Sequence, residues 1–255
     1  MVDRDLDVTP LIDLNADAHV HTGFSVGRDS VGAIVTAAER VGLRQLTFAD
    51  TVTPRVNWLP VYQKSILRAQ QRTDVDLRIG VEVEVVRADG WLDFPEDLGG
   101  LDVLSIGAGR LPLGDELLEP RRVTDLLRTG ALRAVDVVDL AVSATVSAVE
   151  RASRYAPTQL ARPLGLLGQV GIDLAELDES VLHPLIEACR CTGTAVEVSE
   201  SWRAPAAPLA GLFAAAGVPL LAASDARDVA QLGQWRYVAR LLSSLVMADA
   251  QRAAA

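Results

Sequence analysis

Histidine, cysteine and aromatic residues are all scarce in this 255-residue chain, and each shortage excludes something. There are three histidines, too few for a centre built mainly from imidazoles. The two cysteines, Cys189 and Cys191, cannot make a disulfide framework. They stand two apart at an expected helix end, where side chains diverge, so they read as one buried and one exposed thiol rather than as a metal pair. Aromatics make up 4% of the residues, while the apolar fraction is 49% and consists mainly of Ala, Val and Leu. That balance suits buried parallel strands covered by small-residue helix faces. No apolar run is long enough to span a membrane. The N-terminal residues 1–7 are acidic and lack the apolar stretch of a signal peptide, so a cytoplasmic protein is expected. With a formal net charge of -10, the surface repels phosphate backbones, which excludes broad nucleic-acid binding. No G-x-G-x-x-G or G-x-x-x-x-G-K-[ST] follows any expected strand, which disfavours a nucleotide-binding fold.

What the chain does have is a concentrated start. Two of the three histidines fall in Asp17-Ala18-His19-Val20-His21-Thr22. Residues two apart on a strand share a face, so both imidazoles project together from a strand expected at 11–16. Strand patterns follow at 44–49, 77–86, 101–107, 164–168, 194–199 and 218–223. Helices are expected between them, at 30–41 with Ser30 as cap and Gly42 as stop, at 60–72, across 115–154 with a break near Gly130, and at 180–190, 209–216 and 229–247. His183-Pro184 falls near a helix start, where proline is tolerated, and is read as structural. Seven strands alternating with helices imply a parallel sheet with crossovers. Seven units fit an α/β barrel better than an open sheet, as a single domain over 1–255 with its core at about 11–247.

In such barrels the active face lies at the C-terminal strand ends. His19 and His21 sort there, with Asp50, Glu82 and Asp225. Closure makes the first and last strands neighbours, which brings Asp225 beside the histidines. Two imidazoles and two carboxylates suit one zinc, manganese or iron ion. Glu84 shares a face with Glu82, and the strand pattern alone leaves both open.

These residues carry a resemblance. Asp17 to Thr22 resembles the first motif of the polymerase and histidinol phosphatase (PHP) family of metal-dependent phosphoesterases, and Gly80-Val81-Glu82 resembles its G-x-E motif. Ser224-Asp225-Ala226 resembles the start of its S-D-A-H motif. Ala88-Asp89-Gly90-Trp91-Leu92-Asp93, then Leu101-Asp102, is similar to the branch appended to bacterial family X DNA polymerases. The resemblance implies a distorted (β/α)7 TIM-like barrel, selects Glu82 over Glu84, and implies a three-metal site held mostly by histidine. Here the expected ligands are replaced: Asp50-Thr51 stands for D-H, Gly107-Ala108-Gly109 for S-x-H, Gln169-Val170 for H-P, and Arg227 for the final histidine. The acidic first-loop position reads Ser25-Val26-Gly27. The survivors, His19, His21, Glu82 and Asp225, match one of the three metal positions.

Two functions are therefore expected. One is a PHP-like protein that has lost catalysis, or keeps little of it, and binds a small anionic or phosphorylated ligand or a protein partner. The other is a mononuclear hydrolase of phosphate esters. Both allow at most one divalent ion, zinc or manganese, and the first allows none. Asp50 is the expected water-activating group. Arg227 and Gln169 are expected to hold an anion beside the metal, with Gly109 leaving room for it.

Overall fold

The computed structural model describes residues 11–95 and 97–254; the expectation for the acidic segment 1–7 lies outside them. The first half of the chain runs β1 (Ala16–Val20), α1 (Val31–Val41), β2 (Gln45–Thr51), α2 (Leu59–Gln70), β3 (Asp76–Glu84) and β4 (Val103–Gly107). A small antiparallel hairpin follows, β5 (Leu111–Leu113) and β6 (Glu116–Leu118), leading into α3 (Pro120–Arg128) and α4 (Ala134–Ala152). The second half is β7 (Thr158–Leu160), α5 (Gly165–Gln169), α6 (Glu179–Thr192), β8 (Ala195–Ser199), α7 (Ala207–Ala215), β9 (Leu220–Ala223) and α8 (Tyr237–Ala254). Seven strands form one parallel sheet in the order β1-β2-β3-β4-β7-β8-β9. The sheet curls until its ends meet: the Asp225 amide donates to His19 O (3.0 Å) and the His21 amide to Ala226 O (2.9 Å). The result is the expected seven-stranded TIM-like barrel.

Local chemistry explains the elements that frame the site. Ser30 caps α1 by accepting from the Ala33 amide at 3.3 Å, and Gly42 ends it at φ 81°. Val31, Ile34, Val35 and Ala38, spaced on one helix face, bury that face against the barrel. The strands carry apolar residues outward under the helices, among them Leu46, Phe48, Ile79, Val81 and Val83. The inward face is different. His19, Ser105, Gln159 and Glu197, from four strands, are buried and bond to one another across the interior.

The structure corrects several expected elements. The first strand is 16–20, so His19 lies on the strand rather than beyond its end. The fifth barrel strand is 158–160, and the run expected as that strand, 164–168, forms α5. A short unbroken apolar run does not distinguish a buried strand from a buried helical turn. The region expected to be helical from 115 opens with the β5–β6 hairpin. The last helix begins at Tyr237, after a short 3-10 turn at Val229–Gln231, and continues to Ala254.

Candidate metal centre

On β1 the alternation of a strand sends Asp17, His19 and His21 to the barrel interior. His19 is fully buried. Its Nδ1 lies 2.9 Å from Glu197 Oε2 and 3.1 Å from Oε1. Glu197, fully buried on β8, also accepts from Ser105 Oγ (2.5 Å) and Gln159 Nε2 (2.8 Å). A carboxylate so placed favours the proton on Nδ1 and turns Nε2 toward Glu82 and His21. That Nε2 has no hydrogen-bond partner among the described residues and lies 3.7 Å from Glu82 Oε2. His21 Nε2 lies 3.2 Å from Asp225 Oδ1 and 3.8 Å from Glu82 Oε2. Ligand atoms of His19, His21 and Glu82 lie within 4.8 Å of one another. Asp225 reaches the cluster because its backbone turns through φ 53° just after β9.

The site also contains a cation that the sequence analysis missed. Arg162 follows β7 with φ 48°. Its Nη1 donates to Asp225 Oδ2 at 2.7 Å and its Nη2 to Glu82 Oε1. Its guanidinium carbon lies 5.2 Å from the centre of the Trp202 ring, a cation–π contact. Gly107 makes the arrangement possible, since a Cβ there would lie 2.6 Å from Glu82 Oε1 and 3.1 Å from Arg162 Nη2. The space over Gly107 is therefore filled, whereas a Cβ at Gly109 would meet only the Glu84 carboxylate, at 3.8 Å. Gly109 donates its amide to Glu84 Oε1 at 3.1 Å. Glu84 itself faces Arg110 (3.6 Å) and is not in the cluster, so geometry selects Glu82.

Electrostatics follow from burial and partners. Burial disfavours charge on His19, but the Glu197 carboxylate outweighs it and raises the imidazole above its usual range. Burial lowers His21. Burial also pushes Asp225 up, yet the His21 hydrogen bond and the positive charges around it hold that carboxyl well below the usual range. Deeper in the barrel, burial raises Asp17 to about 6. Arg162 pairs with Glu82 and Asp225, and His19 with Glu197. The His19 Nε2, which has no hydrogen-bond partner among the described residues, and the carboxylate behind its other nitrogen fit a metal ion. His19, His21, Glu82 and Asp225 are the residues that would hold it.

The other expected site residues make different contacts. Asp50 is buried and burial raises its carboxyl. Its oxygens accept from the Thr22 amide (2.9 Å), from Thr22 Oγ1 (2.6 Å) and from Ser25 Oγ. It therefore anchors the loop after β1. Gln169 is exposed at the end of α5. Arg227 is exposed after β9, its amide donating to Gln231 Oε1 and its carbonyl accepting from the Arg28 amide. The structure does not bring Gln169 and Arg227 together with the histidines: the guanidinium beside Glu82 and Asp225 belongs to Arg162. His183 and Pro184 are exposed on α6. Glu197 had a signal in the sequence. It interrupts an apolar strand, Val196-Glu197-Val198, as Glu82 interrupts Val81-Glu82-Val83.

Fold and site together define a TIM-like barrel with a buried His-His-carboxylate cluster at the C-terminal ends of its strands. Among solved structures, it is similar to a histidinol phosphate phosphatase from Lactococcus lactis subsp. lactis Il1403, in complex with zinc, L-histidinol and phosphate. The TM-score is 0.65 and the identity 15%, over 90% of this chain and 93% of that one. At that identity the likeness establishes the fold, which is PHP-like. No family model matches the chain, and no curated protein matches it.

Proposed function

We propose that this chain is a one-metal relative of the metal-dependent phosphoesterases that binds a small phosphorylated ligand and hydrolyses it slowly or not at all. The observation that carries the reading is the His19 imidazole, fixed by Glu197 on one side and presenting a free nitrogen to Glu82 and His21 on the other. The ligand class is supported by the phosphatase of like fold, which holds zinc and phosphate. A bound divalent ion, zinc or manganese, would polarise a phosphoryl oxygen and acidify water. The chain's own residues explain why turnover is slow. Asp50 has both oxygens engaged by the loop, and the ligands that would hold further ions are absent from the sequence motifs. The likeness to the family X polymerase branch rests on 88–93 and 101–102, none of which belongs to the site. No described helix is long and apolar enough to cross a membrane; a cytoplasmic location and a single working domain are part of the proposal.

Elemental analysis of purified protein, paired with turnover of p-nitrophenyl phosphate, tests it. About one ion per chain with turnover far below an ordinary enzyme rate of ~10 per second is expected. Two or three ions per chain, or ordinary turnover, would overturn the reading.

A further inference from the structure

The inference that follows rests on the one-metal reading and concerns Arg162. Glu82 and Asp225 each divide their two oxygens between opposite sides of the centre. Glu82 directs Oε2 at the imidazoles, 3.7 Å from His19 Nε2 and 3.8 Å from His21 Nε2, where it also accepts from Thr51 Oγ1 (3.2 Å), and gives Oε1 to Arg162. Asp225 directs Oδ1 at His21 Nε2 (3.2 Å) and gives Oδ2 to Arg162 Nη1 (2.7 Å). Carboxylates that bridge two neighbouring cations divide in the same way. The imidazole side gathers the ligand atoms of His19, His21 and Glu82, with Asp225 Oδ1 beside His21; the other side already holds a positive charge.

We propose that Arg162 is the fixed second cation of the centre. It sits beside the metal position rather than in it, and its guanidinium is the anchor for the phosphate of the bound ligand. Two of its five N–H donors go to Glu82 and Asp225, which leaves N–H groups for an anion. Three features hold it in place: the Trp202 ring beside the guanidinium carbon, the left-handed backbone at φ 48°, and Gly107, whose missing side chain gives Arg162 and Glu82 their space. Arg keeps its charge at any working pH. The site thus has a permanent positive charge where a second ion would be exchangeable, and it takes one ion only.

The test is calorimetric titration of zinc, and then of inorganic phosphate into the zinc-loaded protein, for wild type, Arg162→Ala and Arg162→Lys. Circular dichroism checks that each variant is folded. Wild type is expected to bind one zinc. Arg162→Ala should keep zinc affinity within tenfold and bind phosphate at least tenfold more weakly. Arg162→Lys retains the charge but not the planar fork, and should show unchanged zinc binding with an intermediate loss for phosphate. Should Arg162→Ala fail to fold because it leaves two buried carboxylates unpaired, Arg162→Lys decides by the same criteria. Unchanged phosphate affinity in the folded variants would overturn the proposal alone. So would a hundredfold gain in zinc affinity on removing Arg162, which would mean that the guanidinium occupies the metal's own position. Absence of zinc binding by wild type would overturn the metal-centre reading, and this inference with it.

Discussion

His19 is one residue of the site whose two ring nitrogens have different tasks, and Glu197 separates them. The carboxylate accepts from Nδ1 and from the Ser105 and Gln159 side chains, which fixes both tautomer and ring orientation. Glu197→Gln replaces one acceptor oxygen by an NH2 group that faces donors. Zinc affinity is expected to fall by about 10–100-fold, the usual cost of losing a carboxylate behind a ligating histidine, as measured by competition with a chelating dye. His19, His21, Glu82 and Asp225 were legible in the sequence as candidate ligands because they fall at or near the C-terminal ends of apolar strands, with the resemblance choosing Glu82 over Glu84. Glu197 and Arg162 were not. Glu197 lies mid-strand, where an acidic residue is as readily part of a structural ion pair. Arg162 has no such signal either, because the strand before it, Thr158–Leu160, lies six residues ahead of the apolar run at 164 that reads as a strand.

At the level of elements, the strength of the local signals decided what was legible. Helix α1 was read to the residue because both of its ends are chemically marked, by Ser30 and by Gly42. Ser30→Ala removes the acceptor for the Ala33 amide. It is expected to cost about 1 kcal/mol, within the ~0.5–2 range for such caps, seen as a lower urea midpoint with an unchanged slope. Strand β7 has no such marks. It is three residues long, Thr158-Gln159-Leu160, and two of the three carry polar side chains with buried tasks: Thr158 bonds Thr194, and Gln159 bonds Glu197 and Ala18 O. A strand whose inward face is polar and whose length is half the usual ~5–6 residues leaves no periodic pattern to detect.

For the molecule as a whole, alternation of strands and helices was enough to indicate a seven-stranded barrel, since only a few topologies connect parallel strands that way. What alternation does not show is that this barrel has a charged interior. Binding of the proposed ion to this buried cluster of imidazoles and carboxylates would couple to folding, since the unfolded chain has no such site. Zinc at about 100 times its dissociation constant should stabilise the fold by ~2.7 kcal/mol. At ~2–4 °C per kcal/mol for a chain of this size, thermal unfolding should move up by roughly 5–10 °C, and His19→Ala should abolish the shift. The seam of the barrel has a consequence for how the site comes into being. His21 and Asp225 face each other across it but lie 204 positions apart in the chain. At about 5–20 residues per second of synthesis, the histidines leave the ribosome some ~10–40 s before the aspartate that completes their site. Throughout that interval the nascent chain exposes two imidazoles without the carboxylate that follows β9, and for most of it without the arginine that follows β7. Capture of the proposed ion by the full ligand set would thus be a late event that waits for the end of the last strand.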